Sequence, residues 1–409
     1  MEKIKVSVVR CSSYDMEILG PALGNCLDAL NCFKGIIKPG KKILLKPNLL
    51  SPNNPEKAIT THPAFVEAVI KKIIDITGQP ENITLADSCV PILAHTKKGL
   101  RKLYEATQMI DLPKKTGISL NYDNRSTKIS FSDGVAVKQI DSISPVAESD
   151  IIINIPKLKT HNLTVATGAV KNMFGIIPGM AKPGFHTRFF DIAMFCNLLV
   201  DIACAAKPQL TIMDAILGME GDGPGNGGTP RQTNLILAST DAFALDNIAS
   251  NIMGLAEDDN PVLSEAKKRK ISGAFIENID LLGGNLSEFK IMDFKLPSVL
   301  RKELKSNFIT GLIKRLALNS LNPYPKIDKK KCMGEDCKVC KKICPQSAIS
   351  DSASDRNSLI FDYNKCSRCF CCSEGCPEGA IENKYTFLGD IMINKYGLGG
   401  KKKILNNKT

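Results

Sequence analysis

Nine of the fifteen cysteines lie between positions 332 and 376, and their spacing is suited to binding iron. The second block, from Cys366 to Cys376, reads C-x2-C-x2-C-x3-C and is followed by proline. The first block, from Cys332 to Cys344, has the same pattern with two extra residues in its first gap. Three closely spaced thiolates can cap three irons of one 4Fe–4S cube, while the fourth cysteine ligates the other cube. We therefore predict one cluster on Cys332, Cys337, Cys340 and Cys376, and a second on Cys366, Cys369, Cys372 and Cys344.

This region resembles the bacterial-type ferredoxin with two 4Fe–4S clusters over residues 326–385. An Ala-Ile pair follows each cysteine block, at 348–349 and 380–381, which fits the pseudo-symmetric repeat of that family. The resemblance implies electron transfer. The ninth cysteine, Cys371, is predicted to be an unligated thiol beside a cluster. The alternative is a zinc site, which favours two C-x2-C pairs rather than three cysteines in a row.

A second set of candidate residues follows the ends of predicted strands. Lys46 and Asn48 come directly after one strand, and residues 156–162 and 167–172 follow another. Ammonium groups and backbone N–H groups in such loops suit a carboxylate or phosphate ligand, to which Lys182 and Arg188 add positive charge. The alternative for each lysine is a solvated loop charge. The predicted cofactor- or ligand-binding residues are Lys46, Asn48, Lys157, Lys159, Asn172, Asp214, Glu220 and Asp222.

Two of the four histidines lie in or near these loops. Imidazole titrates close to neutral pH, so His161 or His186 could pass a proton to a reacting carbon. Together with Lys171 they are the predicted catalytic residues. For His161 the alternative is a structural role in capping a turn.

The segment from Gly223 to Gly228 has the spacing G-x-G-x-x-G of dinucleotide-binding loops. Such a loop must open a helix, whereas Pro230 and a predicted strand follow here. The chain also lacks the phosphate-binding pattern G-x4-G-K-[ST]. Nicotinamide or ATP binding by these routes is therefore not expected, and a tight turn that presents Glu220 and Asp222 is predicted instead.

Alternating strands and helices must position these residues. The predicted helices include 64–78, which opens at Pro63 and has Gly78 as a C-cap signal, and the segments 190–206 and 241–253. This alternation predicts an α/β fold with a largely parallel sheet, followed by a C-terminal α+β ferredoxin-like domain with two clusters. Ligands of such sheets bind at the carboxyl ends of the strands. Apolar or β-branched runs predict strands at 4–9, 41–46, 82–87, 150–155, 209–214 and 233–239.

The composition is that of an ordinary globular protein, with 409 residues of which 43% are hydrophobic and 23% charged. The net charge of +12 favours anionic partners, but aromatic residues are only 6% and no arginine-rich tract is present. No nucleic-acid partner is therefore predicted. No signal-peptide core and no apolar run of 18 residues occurs, so we predict a cytoplasmic protein without a transmembrane segment.

Four segments are predicted along the chain. Residues 1–296 form the α/β domain, and residues 297–325 form a linker helix that is basic and amphipathic. Residues 326–385 form the ferredoxin-like domain, and residues 386–409 form a C-terminal tail. The linker helix could bind an anionic membrane surface, although such a helix more often packs on its own domain.

Several motifs together resemble the domain of unknown function 362 family over essentially the full length. They are KPN at 46–48, PKLKTH at 156–161, TGAVKNMFG at 167–175 and GMEGDGPGNGG at 218–228, combined with the C-terminal pair of 4Fe–4S motifs. A fainter similarity extends to the nickel-pincer lactate racemase, in which a Gly/Lys loop, a Pro-Gly pair and a histidine hold the cofactor. In this chain Lys171, Pro178-Gly179 and His186 are placed somewhat alike.

Three functions follow from these residues. The first is an iron–sulfur oxidoreductase, which relays single electrons through two 4Fe–4S clusters from a redox partner protein to a small anionic substrate or cofactor. The second is a racemase or isomerase with an organometallic cofactor, and the third is a non-catalytic electron carrier or assembly factor. We expect the first.

Overall fold

The computed structural model describes most of the chain. The described residues are 2–88, 96–179, 181–189, 191–225, 227–256, 258–297, 324–352, 359–366, 368–384 and 386. Most of the predicted linker helix (residues 298–323) and nearly all of the predicted tail (residues 387–409) lie outside the described residues.

Within the described residues the strands form one large sheet and three small pairs. In chain order they are β1 (Ile4–Arg10), β2 (Ile43–Pro47), β3 (Ile83–Leu85), β4 (Ser119–Leu120), β5 (Ser126–Ser130), β6 (Gln139–Ile143), β7 (Ile151–Ile155), β8 (Lys157–His161), β9 (Val165–Ala166), β10 (Leu210–Gly221), β11 (Gly228–Ser239), β12 (Ile279–Leu282), β13 (Tyr324–Ile327), β14 (Ile349–Asp351), β15 (Leu359–Phe361) and β16 (Ile381–Lys384).

The helices alternate with the strands of the large sheet. They are α1 (Met16–Ala29), α2 (Phe33–Ile36), α3 (Pro63–Thr77), α4 (Lys97–Ala106), α5 (Leu112–Thr116), α6 (Pro145–Glu148), α7 (Gly168–Asn172), α8 (Ala181–Arg188), α9 (Ile192–Ala206), α10 (Ala242–Ile252), α11 (Pro261–Lys268), α12 (Leu286–Phe289), α13 (Val339–Ile343) and α14 (Cys371–Glu374).

The large sheet has the strand order β12-β1-β11-β10-β7-β2-β3-β4, and β8 and β9 are attached beside β10. The strands from β10 to β4 along this order are all parallel, and so are β12 and β1. Antiparallel pairing joins β11 to both β1 and β10, and β8 to β9. The predicted α/β fold with a largely parallel sheet is confirmed.

Helices cover both faces of this sheet, so its strands are buried on two sides. Ile43 and Leu45 of β2 face α1, α3 and α4, whereas Leu44 faces α7, α9, α10 and α11. Because side chains alternate along a strand, one continuous apolar run can serve both cores. This explains why the strand segments lack an apolar–polar alternation.

Four of the six predicted strands and the three predicted helices occur within two residues of their expected ends. The α3 helix starts at Pro63 and ends at Gly78, which adopts the left-handed conformation (φ 63°) and donates its N–H to the Ile74 carbonyl. Asp191 and Asp241 cap α9 and α10 through their side chains. Capping residues close in sequence thus determine where these helices begin or end.

The neighbouring strands β10 and β11 form a long antiparallel hairpin. β10 runs to Gly221 and β11 starts at Gly228, so the glycine-rich segment connects two strands and opens no helix. The expectation that a strand rather than a helix follows this loop is confirmed. The prediction placed the two strands at 209–214 and 233–239 and missed their extension toward this loop.

The cysteine-rich part of the chain forms two antiparallel strand pairs, β13 with β16 and β14 with β15. The short helices α13 and α14 each lie within one cysteine block. Tyr324 and Pro325, which the prediction assigned to the linker helix, belong to β13. Pairing with Lys384 and Asn383 explains their extended conformation.

Candidate functional site

A cavity lies at the carboxyl ends of the central strands and is bordered by the cysteine-rich part. Its walls are formed by residues after β2 and β3, by the segment 167–186, and by residues of α13 and α14. The predicted residues that line it are Lys46, Asn48, Lys159, Lys171, Asn172 and His186. The structure thus brings together the KPN, PKLKTH and TGAVKNMFG motifs, as their strand-end positions predicted.

Lys46 forms a buried ion pair in this cavity. Its ammonium lies 3.1 Å from Asp87 Oδ1 and donates to the Pro47 carbonyl at 2.6 Å. Burial lowers the pKa of Lys46, and the charge of Asp87 opposes this effect. A Cβ on Gly175 would lie only 2.3 Å from Asp87 Oδ1 and 2.5 Å from Lys46 Nζ, so this close packing requires glycine.

Amide side chains hold the neighbouring groups in place. Asn172 Oδ1 accepts hydrogen bonds from Lys46 Nζ and from Asn48 Nδ2, and Asn172 Nδ2 donates to Asn154 Oδ1. Asn48 Oδ1 in turn accepts a hydrogen bond from Lys159 Nζ at 2.9 Å. Lys159 is fully buried, and burial lowers its pKa well below the usual value, with the charge of Lys171 adding to the effect. The network fixes the positions of two lysine ammonium groups and three asparagine amides.

The α7 segment carries Lys171 and is anchored by a buried carboxylate. Asp246 accepts hydrogen bonds from the backbone N–H groups of Ala169 and Val170 at 2.5 and 2.9 Å. Burial raises the pKa of Asp246 to about 7. Gly168 is required beside it, because φ is +61° and a Cβ would lie 2.4 Å from Asp246 Oδ1.

His186 forms an aromatic wall of the cavity. Its ring stacks on Phe195 at 4.5 Å between centroids and meets Phe174 edge to face at 5.9 Å. Burial lowers the pKa of His186 from 6.5 to about 4. The imidazole is therefore neutral at pH 7 and can either donate or accept a hydrogen bond.

This lowered pKa predicts a specific loss of stability in acid. Below pH 6.5 the unfolded chain binds a proton on His186 that the folded chain does not bind until about pH 4. The free energy of unfolding therefore falls between pH 6.5 and 4.5, by about 2–3 kcal/mol from this group. We expect urea unfolding of His186→Gln to show a correspondingly smaller loss. The other titrating groups are the same in both proteins, so parallel pH profiles would contradict the prediction.

Glu374 enters the site from the cysteine-rich part. Its carboxylate lines the cavity and lies 3.3 Å from His161 Nε2. Burial would raise the pKa of Glu374, but the hydrogen bond from His161 and the charge of Lys171 lower it to about 2. His161 Nδ1 accepts the backbone N–H of Leu163 at 2.9 Å, so a neutral His161 carries its proton on Nε2. His161 thus contacts the cavity through Glu374.

Lys157 and Asp214 are placed differently from the other predicted ligand-binding residues. They form an ion pair at 2.8 Å in which both side chains are fully buried. Neither residue is among the described residues that line the cavity. The Tyr14 hydroxyl donates to Asp214 Oδ1 and accepts from Lys157 Nζ, both at 2.8 Å. The backbone N–H of His62 also donates to Asp214, and the His62 ring stacks on Tyr14. This closed network indicates a structural role.

Glu220 and Asp222 do not meet in one site. Glu220 is buried beside Lys295, whose backbone N–H donates to Glu220 Oε2 at 3.1 Å and whose ammonium lies 3.3 Å from Oε1. Asp222 uses its backbone carbonyl to accept a hydrogen bond from Asn162 Nδ2. From this loop it is Pro224 that reaches the cavity.

The cysteines of the two predicted clusters surround two smaller cavities. One is lined by Cys332, Cys337, Cys340 and Cys376. The other is lined by Cys344, Cys366, Cys369 and Cys372. These are the two sets that the spacing predicted. Within the described residues no group of three or more His, Cys, Asp or Glu side chains converges into a formed metal site.

Burial and neighbouring thiols raise the pKa of several of these cysteines. For Cys340 burial raises the pKa to about 12, with Cys376 and Cys332 adding to the shift. For Cys372 burial raises the pKa, with Cys369 and Cys366 of its own predicted set and Cys340 of the other set adding to the shift.

Comparison with known proteins places the chain in a family. The profile described as "Domain of unknown function (DUF362)" matches residues 43–251, which carry every α/β residue described in the cavity. The chain belongs to this family. A thylakoid-associated protein of Synechocystis sp. is 30% identical over 321 residues, covering 74% of this chain and 94% of that protein.

Among solved structures, the lactate racemase apoprotein from Thermoanaerobacterium thermosaccharolyticum is similar to part of this DUF362 chain. The match covers 52% of this chain and 50% of the racemase chain. Its sequence identity is 10% and the TM-score is 0.35. Among the residues that the structure describes, none of the helices combines the length and apolar character needed to span a bilayer.

The sequence prediction missed several residues of the site. Asp87 follows β3, just as Lys46 lies at the end of β2. Its place at a strand end was therefore enough to predict it as a site residue. Thr167 and Phe174 lie within the motif that was recognised, but their types carry no distinctive chemistry. Glu374 and Cys371 lie in the cysteine block, and only the packing of that block on the α/β part brings them to the cavity.

Proposed function

We propose that this protein is an iron–sulfur oxidoreductase that transfers single electrons to a small anionic substrate or cofactor bound in the large cavity. One observation carries the proposal. Cys371 and Glu374, which flank the predicted cluster ligand Cys372, line the same cavity as Lys171 and His186. A predicted electron-transfer centre thus lies next to a basic pocket in the same chain.

The cysteine sets fit two clusters, because each of the two smaller cavities is surrounded by four thiols of one predicted set. Cys332, Cys337, Cys340 and Cys376 would hold one cluster, and Cys344, Cys366, Cys369 and Cys372 the other. Two 4Fe–4S clusters bound there would supply one electron at a time. Residues 326–385 would then form the ferredoxin-like domain.

The cavity residues bind and orient the anion. Four lysines, Lys46, Lys159, Lys171 and Lys182, outnumber two carboxylates, Asp87 and Glu374, in the lining of the cavity. A carboxylate or phosphate bound among these lysines would oppose the effect of burial on their pKa and favour their charged form. Leu50, Phe174 and Ile343 exclude water from the same space, which strengthens these electrostatic contacts.

Two histidines take part in different ways. His186 lines the cavity and is neutral at pH 7, so its ring can donate or accept a proton at a bound substrate. His161 orients Glu374 from behind, because its Nδ1 is fixed by a backbone N–H and its Nε2 faces the carboxylate. Electrons must come from outside the chain, and a redox partner protein would deliver them.

Anaerobic purification followed by iron, sulfide and full elemental analysis tests the proposal. We expect about eight iron and eight sulfide per chain, and loss of visible absorbance on reduction with dithionite. Zinc in place of iron would overturn the redox function. The placement of both Lys171 and His186 in the cavity also supports the racemase or isomerase alternative, which nickel or an extra chromophore beside the iron would favour.

A further inference from the structure

Two polar groups in one corner of the large cavity have no hydrogen-bond partner among the described residues. The Lys171 ammonium makes no hydrogen bond there, and the Thr167 hydroxyl is buried without one. Both residues line the cavity. Thr167 directly precedes α7 and Lys171 is the fourth of its five residues, so the two stand four positions apart on one side of the helix. A buried hydroxyl without a partner is costly, so this corner is suited to an acceptor group supplied by a ligand.

The other cavity lysines already have partners. Lys46 pairs with Asp87, and Lys159 donates to Asn48 and to the Ile59 carbonyl. Lys182 donates to the Ser88 carbonyl at 3.1 Å. An anionic group would therefore form its most favourable new contacts in the corner formed by Lys171 and Thr167.

The rest of the cavity is largely apolar. Leu50, Phe174, Pro183, Pro224 and Ile343 contribute to its lining. An aromatic or conjugated body would gain from contact with the Phe174 ring.

The carboxylate of Glu374 limits the charge that the corner accepts. Burial lowers the pKa of Lys171, and the negative charge of Glu374 opposes this effect. Asp87 forms another part of the same wall. A ligand with two negative charges would be repelled by both carboxylates, whereas one negative charge is matched by Lys171.

We propose that the cavity binds an organic monocarboxylate with an aromatic or conjugated body, its carboxylate held by Lys171 and Thr167. This inference rests on the proposed function in taking the cavity as the substrate site. It adds the class of the ligand.

Calorimetric titration of the anaerobically purified, oxidised protein with cinnamate, acetate and inorganic phosphate tests the proposal. We expect cinnamate to bind at least tenfold more tightly than acetate or phosphate. Lys171→Met should weaken cinnamate binding at least tenfold, and Thr167→Val, which keeps the side-chain shape, should weaken it several-fold. Lys98→Met removes an exposed lysine of α4 and serves as the matched control with unchanged affinity.

Tightest binding of phosphate, equal binding of cinnamate by wild type and both corner variants, or no binding of the three probes would overturn the inference. Iron and sulfide are determined on the same samples. Eight iron without carboxylate binding would overturn only the ligand class, and cinnamate binding that depends on Lys171 in protein without iron would overturn only the electron relay.

Discussion

Replacement of Cys372 by alanine is expected to lower the iron content of the anaerobically purified protein from about eight to about four atoms per chain. Cys372 is buried in the cavity that it shares with Cys344, Cys366 and Cys369. A cubane that loses one of four thiolate ligands is no longer held, whereas the other cavity keeps its complete set of four cysteines. Iron and sulfide determination on wild type and variant measures the change.

Cys371→Ala is the matched control, because this residue is the immediate neighbour of Cys372 and carries the same side chain. Cys371 lines the large cavity and is not among the described residues around either cysteine cavity. We expect Cys371→Ala to keep about eight iron atoms. If Cys371→Ala lost iron and Cys372→Ala kept it, the assignment of ligands in this block would be wrong.

Asp214→Ala is expected to lower the free energy of unfolding by about 3–5 kcal/mol. The substitution leaves the Lys157 ammonium fully buried without its carboxylate, and it also removes acceptors for Tyr14 and for the backbone of His62. Urea unfolding, with the slope checked for a constant denaturant dependence, measures the loss. An effect of this size would support the structural role of the pair.

Two further variants sharpen this test. Asp293→Ala removes a carboxylate that pairs with Arg231 at 2.6 Å but is largely exposed, so little change is expected. The double variant Lys157→Met/Asp214→Leu removes both charges, and it should be more stable than Asp214→Ala because no unpaired buried charge remains. An Asp214→Ala protein as stable as wild type would show that the network contributes nothing.

The sequence allowed good prediction of those elements whose signals are local. The apolar runs gave the strands, and the cap at Gly78 gave the end of α3, because both depend on residues within one or two turns. The sequence also predicted that Lys46, Asn48 and Lys171 would meet, since the carboxyl ends of parallel strands lie along one edge. The strand order and the long antiparallel hairpin depend on distant pairing and had no local signal.

Lys157 and Lys159 show why the rest could not be predicted. They stand two positions apart in one short strand, both are fully buried, and the sequence gives them the same context. Lys157 meets Asp214 and Lys159 meets Asn48, partners that are 57 and 111 positions away. Which lysine reaches the cavity is therefore decided by tertiary packing alone. The same holds for Glu374.

The contribution of Cys371 and Glu374 to the cavity has a consequence for how the protein can be divided. A fragment without the cysteine-rich part would lack one wall of the pocket, including the carboxylate that meets His161. Covalent connection makes the encounter of the two parts intramolecular, with an effective concentration of order millimolar. A separately supplied ferredoxin would have to reach a similar concentration to replace this wall. Under the proposed function, one part of the chain would both deliver electrons and shape the pocket, so a change in either property would alter the other.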